Sequence, residues 1–136
     1  MCGIIACLAK INCINILLNG LVQLQNRGYD SAGICTLSNI FSLLKIASNK
    51  LDAIEYISKN LNKIKNSNMG IGHTRWATHG GKTDANAHPH ISFDNKFVLV
   101  HNGIIENYKQ IKDELTDKNI EFKSQTDTEV IVNLLA

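Results

Sequence analysis

The chain has 136 residues, the size of one domain and enough to bury a continuous core without disulfides or a structural metal. An apolar fraction of 44%, a charged fraction of 19% and a formal charge of +2 are ordinary for a globular protein and give no basis for a nucleic-acid partner. No apolar run approaches the roughly 18 residues of a membrane span, and Cys2, Cys7, Cys13 and Cys35 show no C-x-x-C spacing, so a reduced, cytoplasmic setting is expected.

The first apolar run, residues 1–9, reads as a buried strand with Cys2 at its end. It ends at Lys10 without a basic n-region, which argues against a secretory signal, and a Cys rather than a Gly at position 2 excludes myristoylation. Ile14, Leu17, Leu18, Leu21 and Leu24 share one helical face, and Gly28 stands where a helix would close. Residues 32–38 and 40–47 are β-rich and nearly abut, so they pair around Asn39. Leu51, Ile54, Ile57, Leu61 and Ile64 predict a second amphipathic helix.

Residues 69–78 follow as a strand running into a loop. That loop covers residues 79–95 and carries Gly80, Gly81 and the single proline, Pro89. Residues 97–101 read as another buried strand, with Asn102-Gly103 just past its end. Tyr108, Ile111 and Leu115 mark a third helix, and residues 121–123 a short strand. Thr126 with Glu129 forms a capping-box pattern for a last helix. The run VIVNLLA has no stop signal, so one domain over residues 1–136, incomplete at its C-terminal end, is expected.

Several residues carry candidate chemistry. Removal of Met1 would leave Cys2 with a thiol and a free α-amine, a nucleophile together with its own base, because an α-amine titrates near pH ~7.7 to 8.0. The alternative is a small buried strand cysteine. Of the 14 basic residues only Arg27 and Arg75 are arginine, whose planar fork holds a carboxylate bidentately; a structural salt bridge is the other use. Asn102-Gly103 is either a turn or a pair of donors for an oxyanion. Asp127 is either a helix cap or a partner for an ammonium group. His88-Pro89-His90 invites a metal reading, yet no zinc-ligand spacing accompanies it. Hydrogen bonds that stiffen the loop are the better use of the five histidines.

Taken together, five runs resemble one family: Cys2-Gly3-Ile4, RGYDSAG at 27–33, HTRWATHG at 73–80, HNGIIEN at 101–107 and TDTEV at 126–130. It is the glutamine:fructose-6-phosphate aminotransferase (glucosamine-6-phosphate synthase) family. The Cys-Gly-Ile start and the Asn-Gly pair are shared by class II amidotransferases generally, and the longer runs are similar to the sugar-phosphate branch. The resemblance implies an α+β, N-terminal-nucleophile hydrolase αββα sandwich, present here without the C-terminal part of the domain. It also implies L-glutamine as substrate, with no cofactor and no metal. Cys2 is implied as nucleophile, and Asn102 and Gly103 as the oxyanion hole. Arg75 and Asp127 become the partners of the glutamine α-carboxylate and α-ammonium. Trp76, Thr78 and His79 belong to a covering loop, with Gly80 and Gly81 as a hinge, and Arg27 supports the nucleophile. Fructose 6-phosphate would be met only through a separate C-terminal isomerase part absent from this chain. The full-length enzyme is implied to be a homo-oligomer. A non-catalytic glutamine-binding remnant and an amidophosphoribosyltransferase-like glutaminase are the alternatives.

Overall fold

The computed structural model describes residues 2–28, 30–48, 51–76 and 81–136. Period-two patterning starts at once in β1 (Gly3–Leu8), where Ile5 and Cys7 turn toward the core while Ile4, Ala6 and Leu8 are exposed. The strand expected to be buried is thus buried on one face only. It lies at an edge of a four-stranded sheet ordered β1-β4-β2-β3, all neighbours antiparallel.

The apolar stripe of α1 (Ile14–Leu24) puts Ile14, Leu17 and Leu21 on this sheet, and a single 3-10 turn over Gln25–Arg27 follows. Gly28 closes that turn through its N–H to the Gln25 carbonyl in extended geometry, with φ −169°, so left-handed freedom is not its purpose. A Cβ there would lie 2.7 Å from the Arg75 carbonyl carbon, and backbone cannot yield to it. Close passage past Arg75 is what requires the glycine.

The expected hairpin is β2 (Ser31–Leu37) paired with β3 (Phe41–Ala47), from Ser31↔Ala47 to Leu37↔Phe41. The second helix is shorter than its periodicity suggested. In α2 (Ala53–Lys59), Asp52 caps the first turn by accepting the Glu55 N–H at 2.9 Å, which leaves Leu51 outside and exposed. A 3-10 turn, Leu61–Lys63, carries the remaining stripe. Leu17, Leu21, Ile34 and Ile57, all fully buried, form the centre of the core between the two helices and the sheet.

The central strand β4 (Met69–Arg75) pairs with both β1 and β2. Beyond it the chain crosses the opposite face of the sheet. Gly33 permits that crossing, since a Cβ there would meet the His88 carbonyl oxygen at 2.1 Å and Pro89 Cδ at 3.0 Å. The His88–Pro89 peptide is cis. A small second sheet follows, β5 (His90–Ile91) against β6 (Val98–Leu99). The five-residue buried strand expected over 97–101 shrinks to these two half-buried residues. Ser92 is the reason: its Oγ accepts the N–H groups of Lys96 and Phe97, turning the chain tightly and leaving Phe97 exposed.

The outer layer holds α3 (Tyr108–Asp117), as expected, and α4 (Asp127–Leu134), which packs on β5 and β6. Residues 121–123 form no strand. The Lys123 and Ser124 N–H groups go instead to the buried Glu129 carboxylate, at 2.8 and 2.6 Å. Only half of the capping box therefore forms: Thr126 Oγ1 accepts the Glu129 N–H at 3.3 Å, while the Glu129 side chain reaches past the cap. From one side to the other the layers run helix, sheet, small sheet, helix, an α+β sandwich. Among the described residues no helix is long and apolar enough to cross a membrane.

Candidate active site

The placement of Cys2 begins with a buried hydroxyl. Thr74 Oγ1, on the strand next to β1, accepts the Gly3 N–H at 3.1 Å and donates to the Leu24 carbonyl at 3.2 Å. One side chain thereby ties the start of β1 to the end of α1. Cys2 itself is half-buried, and its Sγ receives the backbone N–H of Trp76 at 3.3 Å. The Trp76 carbonyl oxygen lies 3.6 Å from the same sulfur. The indole, 46% exposed, stands at the edge of the site.

Asn102 reaches Cys2 from the loop after β6. Its Nδ2 donates to the Cys2 carbonyl at 3.0 Å, and its Oδ1 lies 2.7 Å from His73 Nε2. An Asn-Gly pair that bridges two other elements in this way is more than a turn. Arg75, the last residue of β4, is only 4% exposed, and its Nη1 donates to the Gly81 carbonyl at 3.4 Å. Asp127, the first residue of α4, is buried and accepts the Ile105 N–H on Oδ2 at 2.8 Å. It does not cap the helix, a task Thr126 performs, but fastens the loop beyond Gly103 to α4.

These residues share one cavity of about 600 Å³, lined by Cys2, Arg27, Arg75, Trp76, Asn102, Gly103 and Asp127 among others. The volume suits a small ligand. Arg27 is exposed and enters the wall from the 3-10 turn. Thr78, His79 and Gly80 lie outside the described residues, while Gly81 is held by Asn86, whose Nδ2 donates to the Gly81 carbonyl at 2.9 Å.

His88 and His101 reach the cavity wall, and His73 and His90 sit behind it. The His73 and His88 rings stack at 4.3 Å, and the His90 ring meets His88 edge-on at 4.8 Å. His88 Nδ1 accepts the His101 N–H at 3.4 Å, and His90 Nε2 pairs with Thr126 Oγ1 at 3.0 Å, so part of the cluster does stiffen the loop. Burial pushes His73 down to about 4, against the opposing pull of its Asn102 contact. Burial, then the positive groups nearby, pushes His88 and His90 lower still, so the stack is neutral at neutral pH. Among the described residues no group of His, Cys, Asp and Glu is arranged to hold a metal ion. From sequence His73 counts only among the loop-stiffening histidines, and Thr74 has no role. Their signal was alternation: His73 shares a strand face with Arg75, and Thr74 occupies the other.

Known proteins resemble the chain in sequence and in fold. Residues 58–136 match the glutamine amidotransferase domain, and the chain belongs to that family. Among its relatives, a probable glutamine--fructose-6-phosphate aminotransferase (isomerizing) of Acanthamoeba polyphaga mimivirus is 52% identical over the whole chain, which covers 23% of that protein. The aminotransferases of the same name from Cyanidium caldarium and Fusobacterium nucleatum are 46% and 47% identical, again over the whole chain and 22% of their own lengths. The chain thus spans less than a quarter of these relatives. Among solved structures, the glutamine phosphoribosylpyrophosphate amidotransferase from B. subtilis, complexed with ADP and GMP, superimposes with a TM-score of 0.79 at 28% identity. The match covers 97% of this chain and 28% of that one. The fold is that of the N-terminal-nucleophile amidotransferase domains.

Proposed function

We propose that this chain is the glutaminase portion of an enzyme that converts L-glutamine and D-fructose 6-phosphate to L-glutamate and D-glucosamine 6-phosphate. The observation that carries the reading is the meeting, in one cavity, of the Cys2 sulfur, the Asn102 carboxamide, a buried arginine and a buried aspartate. An amino acid with a side-chain amide is the substrate such a set fits. The Arg75 guanidinium pairs with the glutamine α-carboxylate and Asp127 with its α-ammonium, so opposite charges read the two ends of the zwitterion. The glutamine carboxamide is then directed at Cys2.

With Met1 removed, the Cys2 α-amine takes the thiol proton and Sγ attacks the carboxamide carbon. The carbonyl π pair moves onto oxygen, where the second N–H of Asn102 Nδ2 and the Gly103 N–H stabilise it. The oxyanion collapses, the C–N bond breaks, and the ammonium gives its proton to the departing nitrogen, which leaves as ammonia. Water then cleaves the γ-glutamyl thioester, returning Cys2 and glutamate. Trp76, Thr78 and His79 cover the bound amino acid and keep water from the ammonia, with Arg27 supporting the nucleophile. The ammonia passes to the sugar phosphate at a separate isomerase part, in a homo-oligomeric, cytoplasmic enzyme of amino-sugar biosynthesis.

The structural likeness to a phosphoribosylpyrophosphate amidotransferase favours a second acceptor. Identities of 46–52% to the fructose-6-phosphate enzymes, against 28% to that structure, support the sugar phosphate. Assay of the full-length protein with glutamine and each acceptor decides: glucosamine 6-phosphate is expected, and phosphoribosylamine would replace the reading. Intact mass is expected to show Met1 absent and Cys2 alkylated by a glutamine-like electrophile. Glutamine binding by calorimetry without glutamate release would make the domain a binding remnant.

A further inference from the structure

An asparagine in an oxyanion hole is useful in only one of its two amide orientations. The NH2 end stabilises the developing negative charge, while the carbonyl end repels it. Shape does not distinguish the ends, so hydrogen-bond partners must. At Asn102 two contacts settle the matter. The end facing Cys2 lies 3.0 Å from a backbone carbonyl, which only accepts, so that end is the NH2. The other end is therefore the carbonyl, 2.7 Å from His73 Nε2, and this ring nitrogen must carry a hydrogen.

The surroundings of His73 hold it to that state. Its ring is fully buried and stacked on His88 with 14° between the planes. Its Nδ1 is buried and makes no hydrogen bond of full geometry, although the His101 backbone lies near the ring. A proton there would be a poorly satisfied buried donor, whereas with Nε2 committed to Asn102 a bare Nδ1 keeps the buried ring neutral. His88 is held in turn by the chain crossing that Gly33 permits.

We propose that His73 is a positioning residue of the amide-cleaving step: its Nε2–H locks the Asn102 carboxamide with the NH2 group directed at Cys2. The inference rests on the glutaminase reading above. A hydrogen bond donated to Oδ1 also polarises the amide and strengthens its N–H groups as donors.

The test has two arms. In the full chain labelled with 15N-histidine, long-range 1H–15N NMR at about pH 7 reads the tautomer without any turnover. A neutral His73 protonated at Nε2 is expected, and an Nδ1–H tautomer or a charged ring overturns the proposal. The second arm compares His73→Gln, whose amide nitrogen can take the place of Nε2, with His73→Asn, whose amide is too short to reach Oδ1. Both are polar and similarly disruptive to the stack. His73→Asn is expected to lower kcat for glutamine hydrolysis by about 100-fold with KM changed less than about 3-fold, and His73→Gln to recover most of the loss. Equal losses in the two variants, or a loss confined to KM, would show a merely structural role. If the wild-type protein releases no glutamate, the glutaminase reading itself fails, and the tautomer alone decides whether His73 orients Asn102.

Discussion

At the scale of single residues, the proposed function separates groups that would hold glutamine from groups that would act on it. On that reading, replacing Asn102 by Ala would remove one oxyanion donor and leave the charged ends of the pocket intact. Steady-state kinetics is expected to show kcat reduced by about 10²- to 10³-fold with KM little altered. Arg75→Lys keeps the charge but loses the fork. It should raise KM for glutamine by at least about 10-fold with a smaller change in kcat, and an unchanged KM would remove Arg75 from the carboxylate. Cys2→Ala is expected to release no glutamate yet still bind glutamine. Thr74 belongs to a different group. Thr74→Val would strand the Gly3 N–H and the Leu24 carbonyl, costing about 1–3 kcal/mol in chemical denaturation and loosening the attachment of Cys2.

Secondary-structure elements place these residues by approaching closely at a few points. Helix α1 presses Leu17 and Leu21 onto the sheet, and both are fully buried. Leu17→Ala should cost about 3 kcal/mol through lost burial and the cavity left behind, read as a shift in denaturation midpoint with an unchanged slope. Gly33→Ala acts elsewhere. Its methyl group would displace the crossing that carries His88 and Pro89, and with it the ring stacked on His73. Loss of glutaminase activity greater than the loss of stability is expected there, because the displaced segment backs Asn102. At the start of α4 the Glu129 carboxylate serves three donors of residues 123–124 rather than only a helix end.

For the molecule as a whole, the buried histidines make stability depend on acid. His73 binds its proton only near 4 when folded and near 6.5 when unfolded, so between these values the unfolded chain takes up a proton that the folded one excludes. Its contribution is fully present above about pH 6.5 and is lost as pH falls toward 4, at up to 1.4 kcal/mol per unit, or ~2 kcal/mol by about pH 5. His88 and His90, pushed down more strongly, add to the slope in the same direction. Urea melts at stepped pH are expected to lose stability steadily below about pH 6.5. A flat profile to pH 4 would mean that the stack is open to water.

Local chemistry legible in the chain itself determined the first strand, the α1 stripe, the β2–β3 hairpin, α3 and the Thr126 cap, because each depends on periodicity or on residues a few positions apart. The runs around Cys2, Arg75, Asn102 and Asp127 likewise named the walls of the cavity. Tertiary structure decided the rest. Which face of β1 is covered, why Gly28 and Gly33 must lack a Cβ and what His73 and Thr74 hold all depend on contacts between segments distant in sequence. Pairing of β4 with β1 and β2 creates those contacts, and no window of a few residues contains them. The amide orientation of Asn102 is of the same kind, because its two partners are Cys2, just before β1, and His73, on β4.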